Sequence, residues 1–222
     1  MPASEKVTKE KIIRAVLESA FNKSVGGTSL ADISEKLGIK KASLYNHYES
    51  RDAMIEDTIV YCNEIFGKTN FIPADMNATA QKYPAEAVFK GLVNRWFKMT
   101  EKDPLLQIYV FIESEKYFST QAAKIVQEFT DKLLSQTVSA LLSLSEAQKI
   151  SSLDEPTAKA YATIFVRMLR DLLDAYLVQK KVEIRSNPET GSDTLFSAIP
   201  QEEPNYEEID RLTDQFCTLL KK

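Results

Sequence analysis

At 222 residues, 44% of them apolar and 27% charged, the chain is long enough to bury a substantial core without disulfides or a structural metal. A formal net charge of −4 by itself argues against a nucleic-acid binder, but its distribution matters more than the sum. The two cysteines, Cys62 and Cys217, lie far apart in apolar helical contexts that suit buried free thiols better than a bridge. No apolar run approaches the roughly 18 to 20 residues of a membrane span, and the start MPASEKVTKEKI lacks the apolar stretch of a signal peptide, so a cytoplasmic protein is expected.

Charge is unevenly placed. Residues 1–48 hold eight Lys/Arg against five Asp/Glu, and the remainder holds 20 against 27, a mildly basic head on an acidic body. In chain order, Thr8 caps a first helix running to about Lys23, with Glu10 in its first turn and Ile12, Ile13, Val16, Leu17, Ala20 and Phe21 on its apolar face. Gly26-Gly27 ends it. Thr28 or Ser29 starts the next helix, with Ser29 and Asp32 at capping-box spacing.

Leu30 to Tyr48 then reads as two short helices joined by a tight turn at Gly38. Leu30, Ile33 and Leu37 fall on one face, and Ile39, Leu44 and Tyr48 resume after the glycine. The second helix presents Lys40, Lys41, Ser43, Tyr45, Asn46 and His47 outward, a set of donors with an aromatic interleaved. That is what a helix entering a DNA groove requires. A charge run alone is more often a solvated face; the turn and the two apolar faces are what favour a helix-turn-helix that reads DNA.

Ser50 caps a fourth helix through Phe66, the natural connector between head and body. Residues Gly67 to Tyr83 lack periodicity and read as a loop or a broken helix end. Helices follow over about Pro84–Lys102, Leu105–Phe118, Gln121–Leu144 and Glu155–Val182. Glu183 to Glu203 reads as a loop that Leu195, Phe196 and Ile199 could pin down, and Pro204 opens a last helix to Leu220. The expectation is all-α with about nine helices: a three-helix head over residues 1–50 and a larger helical body over 51–222.

The segment TSLADISEKLGIKKASLYNHYESRDAMI resembles the DNA-binding head of the TetR family of bacterial repressors, a likeness covering roughly Thr8 to Ile55. By that resemblance Lys41, Ser43, Tyr45 and His47 match base- or phosphate-contacting positions, and Thr28, Ser29 and Arg51 match phosphate-contacting helix starts. Two positions depart from the pattern. Ala31 stands where many members have an arginine that reaches DNA, and Lys40 replaces a small hydroxyl residue, losing a cap and adding a cation. For His47 the alternative is a partly buried helix residue, and for Tyr45 it is packing within the head.

The resemblance further implies a homodimer joined by helices 155–182 and 204–220, a near-palindromic operator, and an effector pocket in the body for an unknown small molecule. The apolar stripe of Glu155–Val182 allows the dimer, although burial within one chain would also explain it. Trp96, Phe97, Tyr109, Phe111, Ile112, Phe129 and Phe165 are pocket candidates, each of which could equally be core. Arg167 and Arg170 interrupt an apolar helix; Asp171 or Asp174 could pair with them, or an anionic ligand could. The expected mechanism is a population shift in which ligand favours a state with the fourth helix displaced and operator affinity lowered.

No cofactor or metal is expected, and no membrane partner. With a single histidine, His47, a Ser-His-Asp triad or a histidine-based zinc site lacks its parts. Six glycines and no nucleotide-binding loop weigh against an enzyme. The rival reading is a helical ligand-binding or adaptor protein without specific DNA binding.

Overall fold

The computed structural model describes residues 7–186 and 206–221, all of whose regular structure is helical. Helix α1 (Lys9–Lys23) begins where predicted: the Thr8 side chain accepts from the Lys11 N–H at 3.2 Å. Ser29 caps α2 (Leu30–Lys36) in a full capping box with Asp32. Lys40 precedes α3 (Lys41–Leu44) without a side-chain cap. Ser50 caps α4 (Arg51–Lys68), accepting from the Ala53 N–H at 3.0 Å. The remaining helices are α5 (Met76–Lys82), α6 (Ala85–Thr100), α7 (Leu105–Glu115), α8 (Thr120–Glu146), α9 (Glu155–Ser186) and α10 (Tyr206–Leu219).

Three expectations need correcting. The described residues are all-α as expected but hold ten helices, one more than the nine or so counted, because α5 lies inside the segment read as a loop or a broken helix end. Asp75 caps it, accepting from the Ala78 N–H at 2.8 Å, but only Met76 and Ala80 are buried, too few to show a period. The reading helix is four residues long rather than reaching Tyr48. After Leu44 the chain tightens into turns, with the Asn46 and His47 N–H groups donating to Ser43 and Leu44 carbonyls three residues back. Finally, α9 continues to Ser186, four residues into the stretch read as loop. Leu195, Phe196, Ile199 and Pro204 lie outside the described residues.

The chain packs as two compact units, Met1–Thr69 with Thr100–Phe129, and Asn70–Met99 with Thr130–Lys222; the boundary falls within α8. In the first, α1 packs against α2, α4 and α7 around Ile12, Val16, Leu17, Phe21, Ile33, Leu44, Met54 and Leu106. Phe66 stacks on Phe129 with ring centroids 4.1 Å apart, and Arg14 holds Asp103 at 2.7 Å. Packing therefore groups α4 and α7 with the head helices, a different cut from the expected one after residue 50, because α1 buries its apolar face on both.

The second unit is centred on aromatic rings. Phe165 lies 4.9 Å from Phe89 and 5.0 Å from Phe216, and Phe71 meets Trp96 edge-on at 6.0 Å. Polar ties close its rim: Lys90 donates to Asp214 at 2.9 Å, and Gln136 accepts from the Phe71 N–H at 2.9 Å. No described helix is long and apolar enough to cross a membrane.

Candidate nucleic-acid interface

The first unit carries the predicted reading segment, and Gly38 sets its geometry. The glycine sits at φ 63°, where a side chain is strained, and its N–H donates to Glu35 while that of Ile39 donates to Ser34, both at 3.0 Å. This double closure stops α2 and redirects the chain into α3. Buried Ile33, Ser34 and Leu44 seat the two helices on each other, and the Ser34 hydroxyl donates back to the Ala31 carbonyl. Upstream, Gly27 is required by space: a Cβ there would stand 2.3 Å from the Lys23 carbonyl oxygen.

Lys40, Lys41, Tyr45 and Asn46 are exposed, Tyr45 at 52%, while Ser43 and His47 are half-buried. Neighbouring lysines are occupied: Lys23 meets Asp32 and Lys36 meets Glu18, both at 2.5 Å. Lys40 and Lys41 have no ion pair among the described residues. These two exposed lysines are thereby left for an outside anion on the reading segment. Asp32 is a local anchor. Lys23, then Ser29, hold its carboxyl well below the usual carboxylate range, so it stays charged and keeps the capping box closed.

Thr28, Ser29 and Arg51 have other commitments. Thr28 is 2% exposed and its hydroxyl donates to the Ser24 carbonyl at 2.8 Å. Arg51 Nε donates to the Thr28 carbonyl at 2.8 Å, and a terminal nitrogen donates to that of Val25. Ser29 is exposed, yet its hydroxyl is engaged with Asp32 at 2.7 Å. In this conformation the guanidinium ties the start of α4 to the turn before α2. These pairings span more than twenty residues, and nothing in the local sequence announces them.

The eight expected ligand residues are divided between the units. Tyr109, Phe111, Ile112 and Phe129 lie in the first, and Trp96, Phe97 and Phe165 in the second, all seven buried. Arg167 is exposed on α9, opposite the buried row Phe165, Val166, Leu169 and Leu173, so the expected interruption of an apolar core does not occur there. Arg170 donates to the Thr130 hydroxyl. Phe71, Phe89 and Phe216, which complete the aromatic centre of the second unit, are not among the sequence candidates; Phe71 falls in the supposed loop. A cleft of about 770 Å³ in the first unit is walled by Val25, Ile55, Ile59 and Phe118, and none of the eight expected residues lines it.

Capped helices, a glycine-closed turn and an exposed cationic reading segment define an all-α protein with a helix-turn-helix at its N-terminal end. Residues 12–58 match the model of bacterial regulatory proteins of the tetR family. This N-terminal segment is what the chain shares with the TetR family.

Among curated relatives, the icaADBC biofilm operon negative regulator IcaR of Staphylococcus aureus is 31% identical over 102 residues, 46% of this chain and 52% of that protein. The Staphylococcus epidermidis IcaR is 38% identical over 106 residues, 48% and 54% of the two chains. The chain spans about half the length of the curated relatives it matches. The fold is shared over nearly full length with a TetR transcription regulator from Haloarcula marismortui, with TM-score 0.56, 11% identity and coverage of 96% and 98%. It is shared in part with AibR, solved in complex with isovaleryl coenzyme A and operator DNA, with TM-score 0.50, 14% identity and coverage of 72% and 83%.

Proposed function

We propose that this chain is a sequence-specific DNA-binding transcriptional regulator, a repressor released from a near-palindromic operator when a small molecule binds its helical body. The observation that carries the reading is the pair of exposed lysines without ion pairs, Lys40 and Lys41, beside exposed Tyr45 and Asn46 on a segment fixed by the Gly38 turn. The negative regulator IcaR, a relative over the matched half, and AibR, a fold neighbour bound to operator and a coenzyme A ester, support the same reading.

Lys40, Lys41, Ser43, Tyr45, Asn46 and His47 meet the operator, the lysines on phosphates and Tyr45 and Asn46 at base edges. Ser29 joins them at the phosphate backbone through its exposed position, while Thr28 and Arg51 hold the turn from within. Residues 1–50 act as the reading head and 51–222 as the effector and dimer region. Two chains pair through 155–182 and 204–220. Ile164, Val178 and Val182 on α9 and Leu219 on α10 are each about half exposed or more, apolar side chains that a second copy would cover.

Buried apolar residues are candidates to face the effector within each unit by itself: Tyr109, Phe111, Ile112 and Phe129 in the first, and Trp96, Phe97 and Phe165 in the second. Exposed Arg167 is the least supported member of that set. Effector binds better to a conformation of low operator affinity, so operator occupancy falls as effector rises. The test is retention of labelled DNA from upstream of the chain's own gene over a salt series, against a scrambled fragment of equal length. Preferential retention with a steep salt slope supports the regulator; equal, weak retention of both fragments favours a helical adaptor.

A further inference from the structure

Four helical residues are too few to hold a reading element still, since a single turn leaves most of its backbone hydrogen bonds to neighbours. The turns after Leu44 therefore need an external hold. Tyr48, 6% exposed, supplies one: its hydroxyl donates to Asp57 Oδ2 on α4 at 2.6 Å, across nine residues of chain. Lys9, at the start of α1, stands 3.9 Å from the same carboxylate oxygen and 4.8 Å above the Tyr48 ring. Three elements thus converge on one phenol at the C-terminal end of the reading segment.

We infer that the Tyr48 hydroxyl and Asp57 form a positioning clamp that fixes the angle of the reading segment Lys41–His47 against α4 and so sharpens its discrimination between DNA sequences. Neither residue touches DNA in this account; both act through Lys41, Tyr45 and Asn46. Leu44, fully buried, anchors the segment from its apolar face. The Tyr48 bond adds a second point one turn away, and its charged acceptor makes it stronger than a neutral pair. Arg51, the first residue of α4, holds the Val25 and Thr28 carbonyls, so α4 grips both flanks of the helix-turn-helix. Lys9 balances the Asp57 charge and sets its ammonium over the ring face. The inference rests on the DNA-reading proposal for its functional half and on the fold alone for its structural half.

Tyr48→Phe keeps the ring and its packing and removes only the donor. The experiment compares wild type, Tyr48→Phe, Asp57→Ala and Asp57→Asn, the last retaining an acceptor oxygen. Each is assayed for binding to upstream and scrambled DNA, and for amide hydrogen exchange without DNA. Tyr48→Phe and Asp57→Ala should each lower the preference for upstream over scrambled DNA about five- to tenfold, with scrambled binding unchanged. A variant combining Tyr48→Phe with Asp57→Ala should be no worse than either single, and Asp57→Asn should recover most of the loss. Amides of residues 43–48 should exchange several-fold faster in Tyr48→Phe while those of α1 keep their protection.

An unchanged preference with unchanged exchange at 43–48 overturns the clamp, as does an equal loss on both DNAs. If wild type itself shows no preference between the DNAs, the DNA-reading proposal has failed instead. The exchange comparison then still decides whether the clamp exists.

Discussion

Replacing Arg51 separates two roles that local sequence does not distinguish. The guanidinium donates to the Thr28 carbonyl at 2.8 Å and to that of Val25, and its side chain is 30% exposed. A hydrogen bond from a charged donor contributes about 1.5–3 kcal/mol, and partial exposure lets water replace some of that in the variant. Taking the lower end for each bond, Arg51→Ala should cost about 2–3 kcal/mol. In a chain of this length that corresponds to a fall of roughly 5–10 °C in the unfolding midpoint, read by circular dichroism. Arg51→Lys should recover no more than half, because a single ammonium cannot reproduce a planar fork aimed at two carbonyls. If the midpoint is unchanged, while DNA binding weakens and its salt slope falls by about one, Arg51 is a phosphate ligand and the internal tie is wrong.

Other consequences follow from the same geometry. Gly38→Ala meets no neighbouring atom within 4 Å, so its cost is the backbone strain at φ 63° alone, about 1–2 kcal/mol; Gly38→Asn should recover part of it, and an alanine variant as stable as wild type in urea would contradict the turn. Phe165→Ala empties the centre of a four-ring cluster from a fully buried position and should cost about 3–5 kcal/mol, whereas a loss under 1 kcal/mol would mean the second unit is not built on that ring. Asp32 is held charged by Lys23 and Ser29, a depressed folded value, so its contribution is present above the ordinary carboxylate range and is lost as pH falls through the folded one. The stability gap between wild type and Asp32→Asn should therefore be widest near neutral pH and narrow under acid; a gap constant from pH 7 to pH 3 would count against the capping box.

Much of the head is legible in the sequence because its determinants are local. Thr8, Ser29 and Ser50 each cap the helix that follows, and Gly38 carries the left-handed turn that its place between two apolar faces demands. What escapes is non-local or too short to show a period. Seven residues with two buried positions, as in α5, cannot be told from a loop. The short α3 is followed by turns, and the bond from Tyr48 to Asp57 beyond them is a pair no spacing rule predicts. Arg167 reads as a neighbour of core aromatics because the helix around it is apolar, yet two residues from Phe165 is the wrong side of a helix that buries one stripe. For the ligand residues, hydrophobicity predicts burial without partition: the seven aromatic and aliphatic candidates are buried, but in two units.

The most direct test is a titration of wild type and the Lys40→Ala, Lys41→Ala double variant against labelled DNA from upstream of the chain's own gene, repeated from low to physiological salt. Wild type should bind that DNA preferentially, and the double variant should bind it more weakly with a salt slope reduced by about two, one for each phosphate no longer neutralised. Identical slopes for the two proteins, or no preference of wild type for the upstream DNA over a scrambled fragment, would contradict the DNA-reading proposal.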